Sequence, residues 1–166
     1  MSVLLAPDAV LEEHIRSLGE ALCRRGMYCA TAESCTGGLV GASLSSVPGA
    51  SAWFAGGIIA YANAVKVGVL GVEEAVLQTQ GAVSAPVVRQ MARGACRVLR
   101  VGASVSLSGV AGPDGGTPQK PVGLVWLGFC VGEHTDAVAL HLSGTREEIR
   151  AAAVRMAVQE LLGRLH

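Results

Sequence analysis

Apolar residues first recur at helical spacing: Leu11, Ile15, Leu18 and Leu22 make one stripe, Asp8 stands where an N-cap accepts a backbone N–H, and Gly26 follows where such a helix stops. The period then shortens. Residues 27–31 read as a short buried strand, 36–46 as a helix of small residues halted by Val47-Pro48-Gly49, and 53–61 as a second apolar strand with Gly56-Gly57 near its start. Asn63 is placed to cap a short helix, residues 73–80 suit another, and Ser84-Ala85-Pro86 opens a longer one. On that longer helix Val87, Met91, Ala95 and Val98 or Leu99 share one face, while Arg89, Arg93, Arg97 and Arg100 form a solvated ridge along another. Residues 103–108 predict a third strand. Residues 122–131 and 135–142 predict two more, joined as a hairpin through Gly132-Glu133-His134. Thr145-Arg146-Glu147-Glu148 matches a capping box, which opens a last helix reaching to near Leu165.

This alternation is an α/β order, with the first three strands expected parallel and the fourth antiparallel. Ligands in such sheets bind beyond the carboxyl ends of the strands. Ser34, Tyr61 and Ser108 each fall at or just past one of those ends, so segments distant in sequence are expected to meet at one edge.

Length and charge narrow the options. A chain of 166 residues builds one full core, and 13 basic against 13 acidic residues exclude binding to nucleic acid or membrane by bulk electrostatics. Residues 1–7 lack the basic start of a signal peptide and no apolar run reaches membrane-spanning length, so a cytoplasmic protein is expected. Five cysteines without a CxxC pair suggest neither a disulfide framework nor a structural zinc site.

The richest chemistry lies in Thr31-Ala32-Glu33-Ser34-Cys35-Thr36-Gly37-Gly38, at the passage from an apolar run into a helix. Ser34 needs a partner to take its proton. His14, His134, His141 and His166 lack a suitable setting. Lys66, one of only two lysines, has apolar neighbours in Ala64, Val65 and Val67. It would serve as base if burial moved its pKa from ~10.4 toward ~7–8, at a cost of roughly 4 kcal/mol. Tyr61 could relay the proton through its hydroxyl. Spacing alone fits a surface lysine and a strand-end aromatic equally well. Cys35 is a rival nucleophile. N–H groups of Cys35, Thr36, Gly37 and Gly38 would bind an oxyanion, at roughly 3 kcal/mol for one such donor. Ser108 and Gly109 could add hydrogen bonds. Residues 109–121 are glycine-rich but hold neither GK[ST] nor GxGxxG, which disfavours a nucleoside triphosphate. Arg146 or Arg150 could hold a monophosphate, or simply lie on a solvated helix.

Several motifs together carry a resemblance. AESCTGG at 32–38, PGAS at 48–51 with Trp53, Gly56-Gly57, Tyr61, Asn63 and Lys66 behind it, GAVS at 81–84, GVAGPDGGTPQKPVG at 109–123 and GTREEIR at 144–150 resemble the C-terminal domain of the CinA family. The resemblance implies a single three-layer α/β/α domain over residues 1–166, with a mixed, mainly parallel five-stranded sheet. It also implies deamidation of nicotinamide mononucleotide to nicotinic acid mononucleotide and ammonia, with Ser34 as nucleophile, Lys66 as base and Tyr61 assisting. No cofactor, no metal, and a homodimer or larger homo-oligomer are implied as well. Where the family usually has threonine, Ser108 keeps the hydroxyl and loses a methyl. A non-catalytic nucleotide-binding or regulatory module and hydrolysis of another amide are the rival expectations.

Overall fold

The computed structural model describes residues 8–166, and the reading of residues 1–7 as lacking a signal peptide lies outside the described residues. Helix α1 (Ala9–Arg24) begins at Asp8, whose carboxylate accepts the Leu11 N–H at 2.9 Å, and it buries the expected stripe. It closes with the Met27 N–H donating to Leu22 O at 2.9 Å, across Gly26 at a φ of 62°. That closure ties Met27 to the helix end. Strand β1 is therefore Cys29–Glu33, two residues later than expected, and all five of its residues are buried.

Helix α2 (Leu39–Ser45) also starts late. Gly37 and Gly38 take φ values of 59° and 100°, outside the right-handed helical region, so Thr36 to Gly38 form a turn and not the first turn of a helix. A 3-10 turn (Ala50–Ala52) leads into β2 (Phe54–Ile59), α3 (Asn63–Gly68), α4 (Glu74–Gln80), α5 (Ala85–Leu99), β3 (Ala103–Gly109), β4 (Leu124–Val131), β5 (His134–His141) and α6 (Arg146–Gly163). Asn63 does not cap α3. Ala62 holds the cap position, its carbonyl accepting the Val65 and Lys66 N–H groups, and Asn63 is already helical. The capping box at Thr145 and Glu148 forms as expected. In the hairpin Val131 pairs with His134, so the turn is Gly132-Glu133 alone.

Strand order is β2-β1-β3-β4-β5. β1 pairs parallel with both β2 and β3, whereas β4 is antiparallel to β3 and to β5. The mixed α/β sheet with its reversed fourth strand matches the sequence expectation. One core packs α1, α2 and α6 on one face; a second packs Leu70, Val87, Met91 and Ala95, with Val65 and Leu77, on the other. Helices thus cover both faces, as parallel strands require.

Small residues draw α5 down onto the sheet. Ser104 and Ser106 donate to Ala92 O and Val88 O at 2.7 and 2.6 Å, and a Cβ on Gly128 would lie 2.2 Å from Val88 O. Ser108, two residues further along β3, is buried at the carboxyl edge of the strand. Arg89, Arg93, Arg97 and Arg100 are exposed, as the ridge reading expected. Among the described residues no helix is long and apolar enough to cross a membrane.

Candidate active site

Parallel pairing aligns Glu33 with Leu107, and one further rung, Ser34 N–H to Leu107 O at 3.0 Å, sets Ser34 beside Ser108. On the other side the Ala60 N–H donates to Glu33 O at 2.7 Å, which carries the end of β2 alongside the same point. Lys66 is brought here by α3 and is only 1% exposed. Its Nζ lies 3.1 Å from Ser34 Oγ, 2.8 Å from Ala60 O and 3.1 Å from Tyr61 O. Burial lowers its pKa below the ordinary value of 10.5, against a smaller opposing influence of Cys35.

Two of the three expected catalytic side chains, Ser34 and Lys66, are therefore in direct contact. Tyr61 contributes differently. Its side chain is 63% exposed, no hydrogen bond of its hydroxyl appears among the described residues, and its carbonyl is the atom that holds Lys66. Cys35 is buried, and desolvation pushes its thiol up to about 11, which leaves almost no thiolate near neutrality. None of the four histidines hydrogen-bonds Ser34.

Of the four amides expected to be free, only two are. The Gly37 N–H donates to Ser34 O at 3.0 Å and the Gly38 N–H to Glu33 Oε2 at 3.0 Å. The glycine turn folds back on itself, and this consumes both donors. The Cys35 and Thr36 N–H groups have no acceptor among the described residues, although both residues are buried. An unpaired buried donor is rare and calls for an acceptor.

Sequence reasoning left Glu33 without a role. Its buried carboxylate accepts from Thr36 Oγ1 at 2.7 Å, Gly38 N at 3.0 Å, Val40 N at 3.1 Å and Gly41 N at 2.8 Å. It thereby satisfies the otherwise orphan amides at the start of α2. The available signal was a lone acidic residue at the end of a mostly apolar run, just ahead of a glycine turn.

Ser108 is buried beside Ser34, and Gly109 lies in β3, where a Cβ would meet Val125 Cγ2 at 2.7 Å. Arg146, which is exposed, and Arg150, which is half-buried, both bind backbone carbonyls. Arg146 Nη1 donates to Gly112 O at 2.8 Å, while Arg150 donates from Nε to Cys35 O at 3.1 Å and from Nη2 to Thr36 O at 3.0 Å. Their place on the first turns of α6, facing two glycine-rich turns, gives them backbone carbonyls to bind. Among the described residues no cluster of three or more His, Cys, Asp or Glu side chains is gathered for a metal ion.

Known proteins are similar to this chain in sequence and in fold. The family described as CinA C-terminal domain matches residues 11–165. A nicotinamide-nucleotide amidohydrolase PncC of Escherichia coli K12 is 43% identical over 155 residues, which cover 93% of this chain and 94% of that one. A protein of the same name from Pseudomonas putida is 46% identical over 87% of this chain and 91% of its own. The crystal structure of the competence/damage inducible protein CihA from Agrobacterium tumefaciens superimposes with a TM-score of 0.91 at 38% identity, covering 98% of both chains. With the family match running from the first helix to the last, and relatives this similar over more than nine-tenths of their length, the chain belongs to the CinA C-terminal domain family.

Proposed function

We propose that this protein deamidates nicotinamide mononucleotide to nicotinic acid mononucleotide and ammonia, with residues 1–166 acting as one amidohydrolase domain in the cytoplasm. The observation that carries the reading is the contact of 3.1 Å between Lys66 Nζ and Ser34 Oγ, with the lysine buried. The names of the full-length relatives supply the substrate.

Neutral Lys66 takes the Ser34 proton as Oγ attacks the carboxamide carbon, and the developing oxyanion accepts the Cys35 and Thr36 N–H groups. Collapse breaks the C–N bond. Ammonia leaves with the proton that Lys66 received, and an ester on Ser34 remains. Water then adds to the ester carbon, gives its proton to Lys66, and releases the carboxylate as Oγ regains a proton. Ala60 O and Tyr61 O hold the amine on the Ser34 side throughout. Cys35 contributes its backbone and not its thiol.

Ammonia release from the mononucleotide, its dephosphorylated riboside and free nicotinamide tests the proposal in one assay. Turnover of the mononucleotide by the wild type is expected, with loss of ~10³-fold or more in Ser34→Ala. A Ser34→Ala protein at full activity would overturn it, as would a loss confined to Cys35→Ala. Binding of the mononucleotide without turnover would favour a regulatory module instead.

A further inference from the structure

The guanidinium of Arg150 holds two successive peptide groups of the Ser34 turn. In a trans peptide the C=O and N–H point in opposite directions, so fixing a carbonyl also aims the amide on the following residue. Nη2 holds Thr36 O at 3.0 Å, and the N–H of that same peptide, on Gly37, points back and donates to Ser34 O at 3.0 Å. The direction opposite Arg150 is therefore the Ser34 side. Nε holds the preceding carbonyl, Cys35 O, at 3.1 Å, and the N–H of that peptide belongs to Thr36. This is one of the two buried amides with no acceptor among the described residues.

We infer that Arg150 is a positioning residue, which aims the Thr36 N–H at the oxyanion formed above Ser34 and does not bind the phosphate of the substrate. The inference rests on the acyl-transfer reading of Ser34. Arginine suits the task because its planar fork grips two carbonyls at once, whereas a lysine ammonium can replace only one of those contacts in the same geometry. A residue on α6 thereby controls a donor more than a hundred positions earlier in the chain.

Steady-state kinetics of Arg150→Ala and Arg150→Lys on the mononucleotide and on its riboside test the inference. A positioning role predicts that Arg150→Ala lowers kcat ~100-fold on both substrates, the loss expected for one oxyanion donor. KM for the mononucleotide should stay within about threefold, and Arg150→Lys should recover part of the rate. If KM rose ~10-fold for the mononucleotide alone while the riboside was unaffected, Arg150 would be a phosphate ligand and the inference would fail. Unchanged kinetics on both substrates would also overturn it.

Labelling by a fluorophosphonate separates this result from the choice of substrate. In that reaction the Ser34 Oγ–P bond forms, the P–F bond breaks, fluoride leaves, and Lys66 takes the serine proton. The phosphoryl oxygen occupies the oxyanion position. Wild-type labelling without deamidation would defeat the nucleotide proposal and leave Arg150 to be judged by labelling rate, where Arg150→Ala should slow ~100-fold. Equal rates in the variant and the wild type would overturn the inference, and an unreactive wild-type Ser34 would overturn both. Thermal unfolding of each variant checks its fold, and Arg150→Lys decides the matter should Arg150→Ala fail to fold.

Discussion

Two glycine-rich turns lie at the carboxyl edge of the sheet, one at 34–38 after β1 and one at 112–120 after β3, and the protein treats them in opposite ways. The first is largely buried and fastened from both sides: Thr36 and Gly38 donate to Glu33, as do Val40 and Gly41 in the helix that follows, and Arg150 donates to two of its carbonyls. The second is mostly exposed, and its fastenings are light: Arg146 on Gly112 O, Lys120 N on Thr117 Oγ1, Thr117 N on Lys120 O, and Lys120 Nζ on Gln80 O. Glycine permits both turns. What separates them is whether a buried acceptor and a half-buried guanidinium fork stand against them.

The largest effect should come from the side chain that the fastened turn faces. Lys66→Ala is expected to lower kcat ~10²–10⁴-fold, measured as ammonia release, and a variant within tenfold of wild type would remove the chemical half of the contrast. The pH profile sharpens the same point. A base works when neutral, so kcat/KM should rise with pH through the Lys66 value, which burial holds below 10.5, and then level off. Cys35→Ser should leave that rising limb in place, because the thiol keeps its proton up to about 11. A limb that moved with Cys35 would return the nucleophile to the thiol.

Glu33→Gln asks how much of the fastening is one carboxylate. All four partners of Glu33 are donors, and a carboxamide NH₂ in place of one oxygen would face a donor with a donor. A loss of ~1–3 kcal/mol by denaturant unfolding is expected. The smallest effect should come from the exposed turn. Asp114→Ala is expected to shift stability by less than ~0.5 kcal/mol, and a shift like that of Glu33→Gln would erase the difference between the turns.

Much of this was legible in the residue order. The α1 stripe, the capping box of α6, the reversed fourth strand and the meeting of Ser34 with Lys66 follow from periodicity, turn chemistry and a recognisable set of motifs. Boundaries were less so. β1 slid to Cys29–Glu33 because Met27 was taken by the closure of α1, and α2 lost its first turn to Gly37 and Gly38. Side-chain roles were the hardest to read. Tyr61 holds Lys66 through a carbonyl every residue possesses, and Arg150 binds carbonyls 114 and 115 residues away, so residue type revealed neither partner.

By itself, then, the sequence determined which segments are apolar on which period, where helices can be capped, and which hydroxyl and amine are available. Those are local properties, set by side-chain chemistry within a few residues. Only the tertiary structure decided which amides after Ser34 stay unpaired, that Glu33 takes up those of Gly38, Val40 and Gly41, and that Arg150 holds the carbonyls of Cys35 and Thr36. A hydrogen bond needs its partners within about 3 Å, and folding alone brings residues from opposite ends of the chain that close.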